Sequence, residues 1–190
     1  MRKHKGQKVF VFIDSQNLNL GTSKSIYRNK KLIYKGWKLD FKKFRKYLAN
    51  KFRVEKAFLF IGYIPQNRKL YNHLRYSGYE LIFKTIVKDD HGKPKGNVDA
   101  ELIVWTMRCI YEKICDKAVI VSGDGDFAVL ADFLLEKDKL LKFIVPNYKT
   151  MSILIKKVFI KKKKMSLLSL LNNEQEKLAI KKPLYRSGNR

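Results

Sequence analysis

The sequence predicts an α/β protein in which a mainly parallel sheet of about five strands lies between two layers of helices. Short runs of β-branched and aromatic residues alternate along the chain with longer segments whose apolar residues have helical spacing. Strands that alternate with helices of ten or more residues are joined by right-handed crossovers and form parallel sheets covered on both faces. The 190 residues, 45% of them hydrophobic, suffice for one packed domain.

Each element of this fold has a local signal in the sequence. Continuous apolar runs, the pattern of strands buried on both faces, predict five strands at residues 8–13, 54–64, 79–87, 118–121 and 140–145. Apolar residues three and four positions apart predict helices at residues 40–52, 66–76, 98–114 and 126–137. Between the third strand and the third helix, residues 88–97 are polar and rich in Gly, which predicts a loop.

The chain divides by composition near residue 150. Residues 1–150 carry the alternating pattern and form the predicted domain, whereas residues 151–190 form a basic C-terminal extension and tail. Four consecutive lysines occupy positions 161–164, and the leucines that follow at 167, 168, 170 and 171 predict one more short helix. We interpret this extension as an appendage to the domain.

The charge balance predicts a polyanionic partner. The chain has 42 Lys and Arg against 17 Asp and Glu, a net charge of +25, and nucleic acid is the commonest partner of such proteins. A general lysine bias in the source proteome is the alternative. Cys109 and Cys115 lie in one predicted helix and cannot form a disulfide framework, and no segment reaches the length of a membrane span. We therefore expect a reducing, cytoplasmic location and no membrane partner.

Four aspartates fall where this fold collects functional groups. Asp14 follows the first strand, Asp124 and Asp126 follow the fourth, and Asp99 opens the helix after the long loop. Each alone is explained as a helix cap or a turn residue. Carboxyl ends of parallel strands share one edge of the sheet, however, and unpaired carboxylates there would repel one another unless a cation neutralised them. The group therefore predicts a divalent-metal site.

Four other interpretations of these residues fail on their own requirements. Residues 123–128 satisfy the dinucleotide-binding pattern G-x-G-x-x-A, but two acidic side chains in that turn would oppose a pyrophosphate, and the later ribose-binding acid is missing. An EF-hand lacks its spaced ligands and closing Glu. Ser122 has no suitably placed His for a Ser-His-Asp enzyme, and residues 14–16 lack the Asp-x-Asp of aspartyl phosphatases.

Three segments together resemble the signature of a known family. They are residues 12–18 (Phe-Ile-Asp-Ser-Gln-Asn-Leu), 95–102 (Lys-Gly-Asn-Val-Asp-Ala-Glu-Leu) and 121–127 (Val-Ser-Gly-Asp-Gly-Asp-Phe). Their order and strand context are similar to those of the NYN domain, in its LabA-like branch of the PIN-like nucleases. The likeness spans about residues 7–150.

The resemblance implies a Rossmann-like, PIN-like sandwich and cleavage of RNA that depends on Mg²⁺ or Mn²⁺. By position in the three segments, the implied catalytic, metal-binding residues are Asp14, Asp99, Asp124 and Asp126. Asn17 would line the site and bind substrate, and Ser122 would hold the loop or an adjacent ligand. The chain departs from the family pattern at Ser15-Gln16, where relatives have small residues, and at Trp105, where many have another Asp.

A basic segment at residues 21–37 is the predicted RNA-binding surface. Its aromatic residues, Tyr27, Tyr34 and Trp37, stand among lysines, a pattern that suits single-stranded RNA because bases stack on rings while phosphates meet cations. The alternative is a covering loop whose rings pack inward. Lys95, beside the Asp99 segment, is a further candidate phosphate contact.

Two functions follow from the sequence. The first is a metal-dependent endoribonuclease that acts in RNA processing or decay. The alternative is an RNA-binding regulatory protein that keeps the fold but cuts weakly or not at all, which the replacement of an acid by Trp105 favours. The family likeness and the leucine-bearing tail also make a homodimer plausible.

Overall fold

The structure is a computed structural model, and it describes residues 6–84, 87–88, 94–95 and 98–181, apart from the side chains of Val87, Lys88, Pro94, Lys95 and Val98. Within these residues the strands are β1 (Val9–Asp14), β2 (Ile26–Arg28), β3 (Lys31–Tyr34), β4 (Val54–Gly62), β5 (Glu80–Lys84), β6 (Val87–Lys88), β7 (Pro94–Lys95), β8 (Lys117–Val121), β9 (Leu140–Val145) and β10 (Leu168–Leu170). The helices are α1 (Ser15–Ser23), α2 (Phe41–Phe52), α3 (Arg68–Tyr76), α4 (Val98–Tyr111), α5 (Ala128–Glu136), α6 (Ile153–Lys161) and α7 (Gln175–Leu178). Short 3₁₀ turns occur at Pro65–Asn67, Gly125–Phe127, Met165–Leu167 and Leu171–Glu174.

Six of these strands form one parallel sheet in the order β10-β9-β8-β1-β4-β5. The chain starts at β1, adds β4 and β5 on one side, then returns to the other side of β1 and adds β8, β9 and β10. The direction of winding therefore changes between β1 and β8, which pair with Ile13 opposite Val121. In open α/β sheets a crevice for ligands opens at the carboxyl ends of the two strands that flank such a switch.

The alternation of side chains along β1 creates a hydrophobic core on each face of the sheet. Val9, Val11 and Ile13 pack with buried residues of α1, α2, α3 and α7. Phe10 and Phe12 pack on the opposite face with buried residues of α4, α5 and α6. Because both faces are covered, the central strands are apolar throughout, as parallel strands require. The predicted three-layer α/β/α architecture is confirmed.

The five predicted strands are all present, and a sixth comes from the C-terminal extension. Leu168–Leu170 was expected to be helical, and this expectation is wrong: the segment pairs in parallel with β9, with Leu168 opposite Phe143. The edge of β9 offers unpaired backbone groups, and pairing with them overrides the helical preference of leucine. The division of the chain at residue 150 stays a prediction.

The extension contacts both helical layers of the domain. Helix α6 buries Ile155 and Phe159 in the core that contains α5, and the Phe159 ring lies 5.7 Å from that of Phe143. Across the molecule, the Lys51 ammonium lies 2.7 Å from the Glu174 carboxylate, and Asp40 N donates to Leu178 O at 2.9 Å. In the described part of the chain, no helix is long and apolar enough to cross a bilayer.

Candidate functional site

An acidic cleft of about 310 Å³ opens at the carboxyl edge of the sheet, beside the β1–β8 switch. Side chains from β1, α1, β5, α4 and the loop after β8 meet there: Asp14, Gln16, Asn17, Leu20, Lys84, Asp99 and Asp124. Among the described side chains, three carboxylates that are distant in the sequence thus line one cleft, together with one lysine.

Asp14 is the most buried of these carboxylates. It ends β1 and caps α1, because its Oδ1 accepts a hydrogen bond from Asn17 N at 3.0 Å. Its Oδ2 accepts from the Ser122 hydroxyl at 3.1 Å. Burial raises the pKa of Asp14, and the nearby charge of Asp124 adds to this, although the two hydrogen bonds act in the opposite direction. The two hydrogen bonds therefore hold the carboxylate in place, but they offset only part of the cost of removing it from water.

The loop after β8 is fixed to β1 and α1 by side-chain hydrogen bonds. The Ser122 oxygen, while donating to Asp14, accepts from Asp124 N at 3.1 Å. Asn17 Oδ1 accepts from Gly123 N at 2.7 Å. A Cβ atom on Gly123 would lie 3.3 Å from that same amide oxygen, so a side chain at this position would press on the contact. The loop and the first helix thus form one rigid wall of the cleft.

Asp124 and Asp126 occupy the turn that leads into α5. Asp124 Oδ1 accepts from Asp126 N at 3.2 Å and caps the 3₁₀ turn Gly125–Phe127. Both aspartates are exposed, and only Asp124 lines the cleft. Gly125 is held close to the start of α6, since a Cβ atom there would lie 2.6 Å from Ser152 Oγ.

Asp99 completes the acidic group from the first turn of α4, which packs on β1, β4 and β8. Burial raises its pKa, and so do the charges of Asp14, Asp124 and Asp126, in that order, while the charge of Lys84 lowers it. The other three predicted aspartates are therefore close enough to raise the pKa of Asp99, although the four residues come from three elements of the fold.

The donors in this cleft fit a hard divalent cation. Carboxylate and amide oxygens are the ligands that Mg²⁺ prefers, and it needs only one or two carboxylates because it retains bound water. Burial raises the pKa values of Asp14 and Asp99 and the neighbouring aspartates add to this, so a bound cation would stabilise the charged carboxylates. As the side chains stand, no three acidic groups among the described residues converge on a single point that could hold an ion. A cation would therefore draw Asp99 or Asp124 inward.

The predicted substrate-binding residues divide into two groups. Asn17 lines the cleft, and Ser122 lies buried beneath it. The segment 21–37 forms a β2–β3 hairpin on which Tyr27 is 65% exposed. Tyr34 and Trp37 are only 9% and 8% exposed, so they belong to the core and not to a stacking surface, as in the inward-packed alternative. The Tyr34 hydroxyl donates to Gly21 O at 3.1 Å and anchors the hairpin to α1.

The remaining predicted contact, Lys95, lies in β7, which pairs with β6, but its side chain is outside the described residues. The sequence did not single out Lys84 or Leu20, which also line the cleft, and it marked Gln16, another lining residue, only as a departure from the family pattern. Lys84 was missed because the sequence predicted a strand that continues to residue 87. In the structure the strand ends at Lys84, which places this lysine at the carboxyl edge of the sheet.

Trp105, the departure from the family pattern, packs on the sheet. Its ring centroid lies 5.7 Å from that of Phe58 and 6.5 Å from that of Phe60, both on β4. Its other neighbours include Ile82 and Val104, which with it line a shallow apolar hollow beside β5. Trp105 therefore packs against β4, although 37% of its surface stays exposed.

Comparison with known proteins agrees with this fold. No curated protein matches the chain. Among solved structures, a protein of unknown function from Vibrio parahaemolyticus RIMD 2210633 has a similar fold, with a TM-score of 0.64, 19% sequence identity, and alignment over 95% of this chain and all of that one. The sequence model of the NYN domain matches residues 8–168, which include β1 through the first residue of β10 and the whole acidic cleft. The chain belongs to the NYN domain family, a branch of the PIN-like nucleases.

Proposed function

We propose that this protein is an endoribonuclease that uses Mg²⁺ or Mn²⁺ to cleave single-stranded RNA in RNA processing or decay. The observation that carries the proposal is the meeting of Asp14, Asp99 and Asp124 in one cleft at the switch point of the sheet. Burial raises the pKa values of Asp14 and Asp99, and the charges of neighbouring aspartates raise them further, which favours the capture of a cation.

The aspartates would contribute to the cation site in different ways. Asp14 is the fixed ligand, because hydrogen bonds from Asn17 N and Ser122 Oγ set its orientation. Asp99 reaches the cleft from the first turn of α4 and Asp124 from the loop after β8, and Asp126 adds negative charge. When bound, the divalent cation supplies a water of lowered pKa and a positive charge beside the phosphate.

The polar neighbours of the cleft suit a phosphodiester. Asn17 uses its side-chain oxygen to accept from Gly123 N, so its NH₂ group is the part left to donate toward a phosphate oxygen. Lys84 brings the one ammonium group among the described side chains that line the cleft. Together they position an anion that the carboxylates alone would repel.

The rest of the surface supports RNA as the substrate. A net charge of +25 attracts a polyanion to the molecule, while the acidic cleft is confined to one edge of the sheet. Tyr27 stands exposed on the β2–β3 hairpin, close to Arg28 and Lys31, and offers a ring for base stacking next to phosphate-binding cations. A flexible single strand can reach both the hairpin and the cleft, which a rigid duplex cannot do as easily.

Cleavage of a labelled single-stranded RNA in Mg²⁺ or Mn²⁺ tests this function. Asp14→Asn and Asp99→Asn should each lower the rate by more than about 100-fold, because a lost metal ligand costs at least as much as a lost supporting group. Binding of Mn²⁺, followed by calorimetry, should weaken in the same two variants. Rapid cleavage that survives both substitutions would overturn the assigned site.

Asp138→Asn is the matched control for these variants. Asp138 lies in the turn between α5 and β9, at the opposite edge of the sheet, and its side chain is 94% exposed. Its left-handed backbone, with φ of 51°, is one that Asn adopts readily. This variant should therefore keep full cleavage and full Mn²⁺ binding.

An RNA-binding protein with little or no cleavage is the second candidate. It is favoured by the packing of Trp105 where relatives carry an acid, and by the spread of the described acidic side chains, no three of which converge as they stand. Such a protein would bind single-stranded RNA in a salt-sensitive manner and leave it intact with Mg²⁺, Mn²⁺, Ca²⁺ and Zn²⁺. Metal-dependent cleavage that Asp14→Asn abolishes would exclude this candidate.

A further inference from the structure

A second cavity, of about 580 Å³, lies along another face of α1. We call it the α1–α3 pocket, after the helices that bound two of its sides. It is lined by Asn19, Thr22, Ser23, Lys38, Leu39, Asp40, Phe41, Lys69, Leu70, His73 and Ile180. None of these residues lines the acidic cleft.

The two cavities share α1 as a dividing wall. Asn17 and Leu20 face the acidic cleft, whereas Asn19, Thr22 and Ser23 face the α1–α3 pocket. A helix with its side chains is about 10 Å across, so the two cavities are about that far apart. A single RNA strand, at about 3.4 Å or more per nucleotide, spans this separation with a few nucleotides.

The pocket is built by contacts that fix its outer wall. Leu39 forms a bridge with Ala179, and Ile180 N donates to Lys38 O at 2.9 Å. The Lys43 ammonium donates to Ala179 O at 3.0 Å. The end of the described chain is thereby held against the segment that precedes α2, and the cavity between them is a feature of the folded chain.

The lining combines apolar surface with hydrogen-bonding groups and positive charge. Leu39, Phe41, Leu70 and Ile180 supply the apolar surface. On the α1 side, the Ser23 hydroxyl donates to Asn19 O at 2.8 Å, which leaves its oxygen able to accept. Lys38 and Lys69 supply positive charge.

The one carboxylate among the described lining residues is already engaged. Asp40 Oδ1 accepts from Lys43 N at 3.0 Å and so caps α2, and its Oδ2 lies 3.8 Å from the Lys43 ammonium. The charge that is left to contact a ligand is therefore the positive charge of Lys38 and Lys69. The pocket is suited to a flat, partly polar ring that is attached to an anionic group.

We propose that the α1–α3 pocket binds one unpaired nucleobase of the RNA strand whose scissile phosphate lies in the acidic cleft. This rests on the proposed function and adds to it a base-anchoring position a few nucleotides from the cut. A volume of about 580 Å³ lies within the ordinary range for small-molecule pockets and accommodates a nucleoside. The base must be unpaired, because its hydrogen-bonding edge has to meet the α1 side chains.

Binding of short single-stranded RNAs tests the base-anchoring position. One nucleotide at a time is replaced by an abasic ribose, and affinity is measured by fluorescence anisotropy in the Asp14→Asn background, which prevents cleavage. One position should lose affinity by roughly ten-fold when its base is removed, the order of magnitude expected for one stacked base. Flanking positions outside the pocket should lose less.

Leu70→Arg identifies the pocket as the source of this effect. Leu70 is 40% exposed on α3, so the variant can fold, and the long side chain can occupy the pocket. The added positive charge should maintain or raise overall RNA affinity, while the dependence on that one base disappears. Ile160→Arg, at a 54% exposed position of α6, adds the same charge elsewhere and should keep the dependence.

The outcomes separate this inference from the proposed function. If no position depends on its base, or if the dependence persists in Leu70→Arg, the pocket does not bind a nucleobase, and an apolar side chain of a protein partner becomes the better occupant. Cleavage by the wild-type protein is measured separately on unmodified RNA. Base dependence without cleavage would overturn the nuclease function alone, and cleavage without base dependence would overturn the pocket alone.

Discussion

At the scale of single residues, the site depends on how Asp14 is held. Its two carboxylate oxygens accept from different elements, one from the start of α1 and one from the loop after β8. Ser122 connects the two acidic segments, since its hydroxyl donates to Asp14 and accepts from Asp124 N. Ser122 is thus a positioning residue that acts through both aspartates.

Ser122→Ala should alter both stability and the pH dependence of cleavage. The side chain is fully buried, and its loss leaves an oxygen of Asp14 and the N–H of Asp124 without this partner, at a cost of about 1–3 kcal/mol in unfolding free energy. The hydroxyl lowers the pKa of Asp14, so without it that pKa rises further. Asp14 then becomes charged only at higher pH, so the acid limb of the pH–rate profile for cleavage should shift to higher pH.

Thr106→Val separates this effect from a general loss of stability. Thr106 is also fully buried, but its hydroxyl donates to Leu102 O within α4 and does not contact an aspartate. This variant should unfold at a lower urea concentration and keep the wild-type pH profile. An unchanged acid limb in Ser122→Ala would show that the serine does not act through Asp14.

The sequence alone identified the acidic residues but not the whole cleft. The aspartates were predictable because each is adjacent to the end of a strand or the start of a helix, and the topology of parallel sheets brings such positions together. Tyr34 and Trp37 were not predictable as core residues. A ring among lysines has the same local sequence whether it points outward or inward, and only tertiary packing decides between them.

At the scale of elements, α6 and β10 show how much the residues after 150 contribute. Helix α6 places Phe159 and Ile155 against α5, and β10 extends the sheet beyond β9. The five longer strands were predictable from their continuous apolar runs. The three residues of β10 are too few to show a period, and their pairing depends on the long-range presence of the β9 edge.

Phe159→Ala should lower the unfolding free energy by about 3–5 kcal/mol, because it removes a fully buried ring and leaves a cavity beside Phe143. Urea unfolding, followed by circular dichroism, measures the change. Ile160→Ala, at the next position of the same helix, should change it by about 0.5 kcal/mol or less, because that side chain is exposed.

A near-zero effect of Phe159→Ala would show that α6 is dispensable for the stability of the sheet. A truncated chain that ends at residue 150 is a stronger test of this contribution, because it lacks both α6 and β10. We expect such a chain to lose cooperative unfolding, since the faces of β9 and α5 that they cover would meet water.

At the scale of the whole molecule, basic residues greatly outnumber acidic ones, and four of the 17 acidic residues form a group at one edge of the sheet. The net charge of +25 gives long-range attraction to RNA, and the acidic cleft gives local repulsion that a cation can reverse. Binding and cleavage should therefore respond differently to salt and to divalent metal.

Affinity for single-stranded RNA should fall steeply with salt. If about five phosphates are neutralised, the dissociation constant should rise roughly 100-fold between 50 and 200 mM monovalent salt, because each contact releases counterions. Fluorescence anisotropy with Asp14→Asn measures this without cleavage. A flat salt dependence would instead attribute the lysine excess to a general compositional bias.

The hydrogen bonds that build the cleft join parts of the chain that are far apart in sequence. Ser122 is 108 positions from Asp14, and Gly123 is 106 from Asn17. A chain still being synthesised cannot form these contacts until β8 has emerged and paired with β1, and loop closure over such distances makes them late events in folding. We expect chains that end before β8 to be unable to cleave RNA, so that the nearest RNA at that moment, the message under translation, is not cut before β8 has paired with β1.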